Sequence, residues 1–282
     1  MSSHTAPEKQ ITAPDILAAK GERKLCMVTA YDYPTALLAD KSGMDMILVG
    51  DSLAMVVLGH EDTLSVSMDE MVHHTRAAAR GTSRALLVAD MPFLSYQADV
   101  AEAVRNAGRF LSEGRARAVK LEGGRDYAPH VAAMVRSGIP VMGHIGLTPQ
   151  YVATLGGFKA QGKSAQAARA MVEDAKALED AGAFSIVLES MPEETAALIT
   201  EAVSVPTIGI GAGNVTDGQV LVMHDLLGLF DRFVPRFVKQ YAQLGSVVIE
   251  SLERYRAEVA DGAFPGPEHT LHLSPEERDK LA

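Results

Sequence analysis

Tryptophan is missing from this 282-residue chain, and cysteine occurs once. A single cysteine, Cys26, excludes an intramolecular disulfide. It lies in the apolar run Leu25-Cys26-Met27-Val28, where a free thiol is expected to pack inside as a small hydrophobe. Positive charge is scarce too: 26 Lys and Arg stand against 36 Asp and Glu, a formal net charge of −10. That balance argues against a general nucleic-acid binder, which needs clustered cations, and against attraction to an anionic membrane. No run of about eighteen apolar residues is present to span a bilayer. Met1–Lys9 is polar and lacks the apolar stretch of a signal peptide, so a cytoplasmic protein is expected. Internal repeats, low-complexity tracts and inter-domain linkers are also missing.

What is present is a chain that is 47% hydrophobic, with a length close to the roughly 250 residues of one closed α/β barrel. Short apolar runs read as strands at Leu25–Ala30, Met46–Gly50, Ala85–Ala89, Ala118–Leu121, Pro140–His144, Phe184–Leu188, Thr207–Gly211 and Gln219–Met223, the last being ambiguous. Nearly continuous apolarity suits strands covered by helices outside and packed within. Between them, helical patterns run over Pro34–Lys41, Met68–Arg80, Ala98–Glu113, Asp126–Arg136, Ala165–Ala181 and Glu193–Ala202. Ser67 with Glu70 three residues on predicts a capping box, and Gly114 a C-terminal stop. The alternation predicts an eight-stranded parallel β/α barrel of the TIM type, in one domain covering residues 1–282. An additional helix is expected around Pro14–Lys20, a helical extension reaches about Ala260, and the tail from Gly262 reads as an extended or weakly ordered extension. A doubly wound open sheet is the alternative that the pattern leaves open.

Charged residues fall where strands end. The second strand runs into Asp51-Ser52, the third into Asp90, the fourth carries Lys120 and Glu122, the fifth ends at His144, and the sixth is followed by Glu189. In a parallel barrel these ends meet at one mouth, where barrel enzymes hold their active sites. Lys120 and Glu122 are two apart, so a strand points both to one side. Charges aimed into a barrel are costly unless paired or bound to a metal. Asp51, Asp90 and Glu122 form a hard, oxygen-rich set without nearby Cys, which favours Mg²⁺ over Zn²⁺. Each acid could instead be a helix cap or a salt-bridge partner in its own loop. Two long connections at that mouth, Leu53–Ser67 and Gly146–Lys163, are candidate lids. The glycine run Gly209-Ile210-Gly211-Ala212-Gly213 lacks the spacing of a dinucleotide fingerprint and reads as a tight turn. His73-His74 reads as a solvated or packed pair on a helix.

The motifs Thr29-Ala30-Tyr31-Asp32, Val49-Gly50-Asp51-Ser52, Ala89-Asp90-Met91-Pro92-Phe93 and Val119-Lys120-Leu121-Glu122-Gly123-Gly124 follow one another in that order. Gly143-His144-Ile145-Gly146-Leu147-Thr148-Pro149-Gln150, Gly156-Gly157-Phe158, Val187-Leu188-Glu189 and Ile208-Gly209-Ile210-Gly211-Ala212-Gly213 continue the series. In this order the chain resembles the ketopantoate hydroxymethyltransferases from about Ile16 to Tyr255. The resemblance implies transfer of a one-carbon unit from methylenetetrahydrofolate to 3-methyl-2-oxobutanoate, giving 2-dehydropantoate on the route to pantothenate and coenzyme A. It implies Mg²⁺ held by Asp51, Asp90 and Glu122, with the charge of an enolate stabilised at the keto oxygen. Asp51, Ser52, Asp90, Lys120 and His144 would meet the substrate, and Glu189 would be the general base, though a further metal ligand is equally open there. It also implies a homo-oligomer, a decamer. Rival readings are a lyase of the phosphoenolpyruvate mutase and isocitrate lyase kind and a non-catalytic metabolite-binding barrel. Isocitrate lyases carry a catalytic loop cysteine, and Cys26 comes too early to supply it.

Overall fold

Eight parallel strands close on themselves in the computed structural model, which describes residues 9–230 and 232–281. They are β1 (Leu25–Thr29), β2 (Met46–Val49), β3 (Leu86–Asp90), β4 (Ala118–Lys120), β5 (Val141–Gly146), β6 (Ser185–Glu189), β7 (Thr207–Ile210) and β8 (Gly218–Leu221). Every neighbouring pair is parallel, and β1 pairs with β8 from Leu25 against Gly218 to Val28 against Leu221. That pairing rules out the doubly wound sheet. Gly218 permits the closure, since a Cβ there would sit 2.6 Å from the Leu25 carbonyl oxygen. The ambiguous eighth strand thus starts one residue before its expected position and ends two earlier. The chain divides into two compact units, one reaching His224 and including Pro235–Val238, the other made of Asp225–Val234 and the residues from Lys239 on.

Alternate strand residues point inward and pack as one cluster: Met27, Met46, Leu48, Leu86, Val88, Ala118, Met142, Val187, Ile208 and Val220. Helix α1 (Ala13–Leu17) contributes Ala13 and Ile16 to the same cluster, with Ala19 just beyond it. The N-terminal end of the barrel is therefore plugged by apolar side chains, which leaves the C-terminal end for chemistry. Carboxylates brace the plugged end. Asp40 accepts from the backbone amides of Ser83 (3.0 Å), Arg84 (3.0 Å) and Ala85 (2.8 Å). Asp45 accepts from both terminal nitrogens of the Arg23 guanidinium (3.0 and 2.8 Å), and Asp217 pairs with Lys20 at 2.7 Å.

The outer layer follows the helical patterns closely: α2 (Tyr33–Lys41), α3 (Met68–Gly81), α4 (Val100–Ser112), α5 (Ala128–Arg136), α6 (Ala165–Asp180) and α7 (Glu193–Ala202). The capping box forms as expected, Ser67 Oγ accepting from the Glu70 amide while Glu70 Oε2 accepts from the Ser67 amide at 2.8 Å. Helix α4 starts two residues late because Asp99 caps it, accepting from the Glu102 amide at 2.9 Å. Cys26 corrects an expectation: it is exposed. Its neighbours Leu25 and Met27 face the interior, but its own side chain leaves β1 on the outer face, which is open at that level.

In the second unit, helix α8 (Leu244–Ala260) is the main element and has no buried residue. Val248, Leu252, Tyr255 and Val259 recur at helical spacing, and all four are exposed, an apolar stripe that is usually covered. The tail holds a short element. Ser274-Pro275-Glu276-Glu277 starts a short helix at Pro275–Asp279, with Ser274 Oγ accepting from the Glu277 amide at 3.2 Å. Among the described residues no helix is long and apolar enough to cross a membrane.

Candidate active site

The inward-facing rows of β3, β4, β5 and β6 end in polar groups at the open mouth. Asp90 closes β3 and Lys120 closes β4, and the two are register partners. Lys120 Nζ forms an ion pair with Asp90 Oδ1 at 2.8 Å. Asp51 follows β2, and its amide donates to Asp90 Oδ2 at 3.2 Å. Gly50 makes room for this crossing, because a Cβ there would lie 2.8 Å from Ser52 Oγ and 3.5 Å from Asp90 Oδ2. Ser52 Oγ lies 2.9 Å from the Tyr31 hydroxyl. Glu122 stands just past β4. Ladder bonds continue there, from the Leu121 amide to the Met142 carbonyl and from the Gly123 amide to the His144 carbonyl. Glu122 therefore keeps the face of Lys120, as the spacing of two predicts.

His144, on β5, links the two sides. Its Nδ1 is 3.1 Å from Lys120 Nζ and 3.6 Å from Glu122 Oε1. Its Nε2 is 3.3 Å from Glu189 Oε2 without an aligned hydrogen bond. Glu189 ends β6 and is the most open of the acids, its side chain 17% exposed against 1% for Glu122. Gly146 pairs with Glu189 in register and approaches it closely, at a φ of 102°; a Cβ there would meet the Glu189 carbonyl oxygen at 2.2 Å. Ser190 follows with a left-handed φ of 46°, a conformation rare for a residue other than glycine and frequent at functional turns.

All the predicted site residues thus meet at one mouth. Sequence reading missed several others. Gln150, from the β5 connection, reaches Asp51, and its amide nitrogen donates to Glu122 Oε2 at 3.0 Å. Tyr96 is fully buried beneath, its hydroxyl 3.0 Å from the Glu122 carbonyl and accepting from the Glu122 amide at 3.1 Å. The candidate lid Gly146–Lys163 holds two short turns, Pro149–Tyr151 and Val152–Leu155. A cavity of about 310 Å³ lies beside the mouth, walled by Gly123, Tyr127, Gly146, Thr148, Tyr151 and Met171.

The electrostatics of this cluster are unbalanced. Burial, and then the Asp90 charge, pushes Asp51 up to about 7. Burial and Asp51 push Glu122 well above the carboxylate range. Glu189 is pushed up to about 7 by burial, with Lys120 pulling the other way. Burial and the Lys120 charge hold His144 well below its usual range, so its ring is neutral near pH 7. Burial works to lower Lys120, yet Asp90, Glu122 and Asp51 hold it above its ordinary value. One buried ammonium cannot offset four carboxylates in a dry site, so bound protons or a cation must.

The donor set fits a small hard cation. Buried Asp90 has the Lys120 ammonium at 2.8 Å and the Asp51 amide at 3.2 Å, and the Asp51 carboxylate beside it adds further hard oxygen donors. Among the described residues no three His, Cys, Asp or Glu side chains form a ready-made cage. Mg²⁺ does not require one: it binds through one or two carboxylates and keeps water or substrate oxygens in the remaining positions.

Residues 10–267 match the family model described as ketopantoate hydroxymethyltransferase. The chain belongs to the ketopantoate hydroxymethyltransferase family. Curated relatives agree. A 3-methyl-2-oxobutanoate hydroxymethyltransferase of Syntrophobacter fumaroxidans is 64% identical, with 98% of each chain covered. That of Moorella thermoacetica is 59% identical over 94% of this chain and 99% of its own. Solved structures similar in fold include phosphonopyruvate hydrolase in complex with oxalate and Mg²⁺ (TM-score 0.61, 15% identity, 96% and 97% covered). Another is 2,3-dimethylmalate lyase, a member of the PEP mutase/isocitrate lyase superfamily (TM-score 0.59, 16% identity, 95% and 92% covered). At those identities they show the barrel alone. Membership in the hydroxymethyltransferase family makes this chain a transferase rather than a lyase or a non-catalytic barrel.

Proposed function

We propose that the chain transfers a hydroxymethyl group from methylenetetrahydrofolate to 3-methyl-2-oxobutanoate, in the presence of Mg²⁺, as a step towards pantothenate and coenzyme A. The products are 2-dehydropantoate and tetrahydrofolate, with water supplying the hydroxyl oxygen. The observation that carries this reading is Glu189. It is a partly open acid held near neutrality, facing a buried Lys120, His144 and aspartate cluster across the mouth. A base with its pKa near working pH is suited to taking a proton from carbon.

In this reading Glu189 accepts the proton from C3 of the keto acid, and that carbon bonds to the methylene carbon. The two bonds from the methylene to folate nitrogens break, water giving the hydroxyl while its remaining proton and the C3 proton pass to the freed nitrogens. Lys120 and Ser52 hold the substrate carboxylate. His144, neutral and fixed by Lys120, orients Glu189 and the substrate. Asp51, Asp90 and Glu122 would hold Mg²⁺, which supplies Lewis-acid stabilisation where negative charge develops on the keto oxygen. The cavity walled by Tyr127 and Tyr151 offers room beside the mouth for the bulky co-substrate. The exposed stripe on α8 supports a homo-oligomer, a decamer in this reading.

The test is an assay with both substrates, with and without a chelator. Metal-dependent tetrahydrofolate formation is expected. No product with any divalent metal would sink the reading.

A further inference from the structure

We infer that Gln150 is a positioning residue that holds Asp51 and Glu122 ready for the metal. This inference rests on the metal reading above. The Gln150 side chain is 2% exposed, and both protons of its amide and its oxygen have partners within hydrogen-bonding distance. Nε2 has two protons and donates one to Asp51 Oδ2 and one to the Met91 carbonyl, each at 2.9 Å. Oε1 has two lone pairs and lies 2.9 Å from the Tyr96 hydroxyl and 2.8 Å from Gln97 Nε2. The orientation of the amide is thereby fixed. A flipped amide would set its oxygen against a carboxylate and a carbonyl, two acceptors that cannot donate in return.

The same residue acts through its backbone. Its amide nitrogen donates to Glu122 Oε2 at 3.0 Å. One residue on the β5 connection therefore grips acids that follow two other strands, β2 and β4. Both acids are buried and mutually repelling, as the Asp51 charge on Glu122 shows. Among the described residues Gln150 Nε2 is the hydrogen-bond donor that the Asp51 carboxylate has, so without it burial favours that side chain turning away. Each acid keeps one carboxylate oxygen that Gln150 does not use, and that oxygen is free to face a cation. Ligands of metal sites are commonly held this way by outer partners, whose loss weakens metal binding by about 10- to 100-fold.

Two substitutions separate the parts. Gln150→Glu keeps the shape but sets a carboxylate against Asp51. Gln150→Leu keeps the bulk and removes the polar end. Both retain the backbone bond to Glu122. Titrating metal-free protein with Mg²⁺ by calorimetry, together with thermal melts, is the readout. Either variant should raise the Mg²⁺ dissociation constant at least tenfold, with kcat recovered to within about threefold at saturating Mg²⁺. An unchanged dissociation constant, or a loss of kcat that saturating Mg²⁺ fails to restore, overturns the inference. Should neither variant fold, Tyr96→Phe carries the test: it removes the hydroxyl from Gln150 Oε1, and Mg²⁺ binding should weaken in the same direction by severalfold. Equal binding by Tyr96→Phe and wild type would then overturn it. Failure of wild-type protein to bind Mg²⁺ sinks the metal reading and this inference with it, whereas equal binding by wild type and variants sinks the role of Gln150 alone.

Discussion

His144 Nε2 stands 3.3 Å from Glu189 Oε2, while His144 Nδ1 faces the Lys120 ammonium at 3.1 Å. An ammonium can only donate, so Nδ1 is the accepting nitrogen and Nε2 carries the ring proton. His144 thus presents an N–H towards the base and does not compete for the substrate proton. Glu189→Gln retains the shape and removes the basic oxygen. Turnover and exchange of the C3 proton should each fall by about 10²- to 10⁴-fold, with Mg²⁺ binding unchanged. Proton NMR in heavy water measures the exchange directly. Full exchange in the variant would place the base elsewhere, and a loss of Mg²⁺ binding would make Glu189 a metal ligand.

The same residue predicts a pH profile. Glu189 works as a base only when ionised, and burial raises its pKa to about 7. Below that value kcat/KM should rise about tenfold per pH unit, then level off above it. A rate already flat from pH 5 upward would mean that the ionisation of Glu189 does not limit proton removal.

Stability of the metal-free protein should change with the opposite sign. Asp51 and Glu189 titrate near 7 when folded, but near 4 in an unfolded chain. Between those values the folded state binds more protons, so unfolding becomes easier as pH rises through about 7. His144 works the other way, since its lowered pKa makes the unfolded state bind more protons below about 6.5. The window from about 7 to 8 therefore favours the acids, because unfolded histidines have by then lost most of their protons. Thermal melts in chelator should drop across it, and added Mg²⁺ should raise the melting temperature more at pH 8 than at pH 7. A melting temperature that rises over this window in chelator would contradict the assignment.

The barrel was legible because its chemistry is written at strand ends. Asp90, Lys120 and His144 each close or nearly close an apolar run, and parallel strands bring such ends together. Glu122 was legible from its spacing to Lys120, although β4 itself stops at Lys120. Gln150 and Tyr96 were not, because neutral polar residues in a connection show no periodicity, and their role exists only once β3, β4 and β5 are side by side. Cys26 misled for a related reason. An apolar run implies burial on both faces, and only packing reveals that the outer face of β1 is open there.

Asp40 tests the opposite end of the barrel. Burial works to raise its pKa, but the Ala85, Ser83 and Arg84 amides and the Ser83 hydroxyl hold it below the ordinary range. Its contribution is present above about pH 4 and is lost as pH falls through the lowered value. Asp40→Ala strands three backbone donors at the entry to β3 and should cost about 3 kcal/mol in denaturant melts at pH 7. The difference from wild type should shrink under acid. A variant as stable as wild type at pH 7 would show that the amides find water instead.

Helix α8 gives a prediction about assembly. Val248, Leu252, Tyr255 and Val259 are spaced four, three and four apart, so they share one face, and Leu252 is 61% exposed at its centre. A solvated helix would not carry such a stripe, of which Tyr255 meets the Phe264 ring edge-on and the rest is exposed. In the proposed oligomer another copy covers it. Leu252→Asp sets a charge in the middle of that contact, where burying it unpaired costs several kcal/mol. Analytical ultracentrifugation should show a smaller species than wild type at the same concentration. The circular dichroism spectrum should be unchanged, because Leu252 is exposed. If the variant sediments as wild type does, subunit contacts lie on another face and the stripe has some other partner.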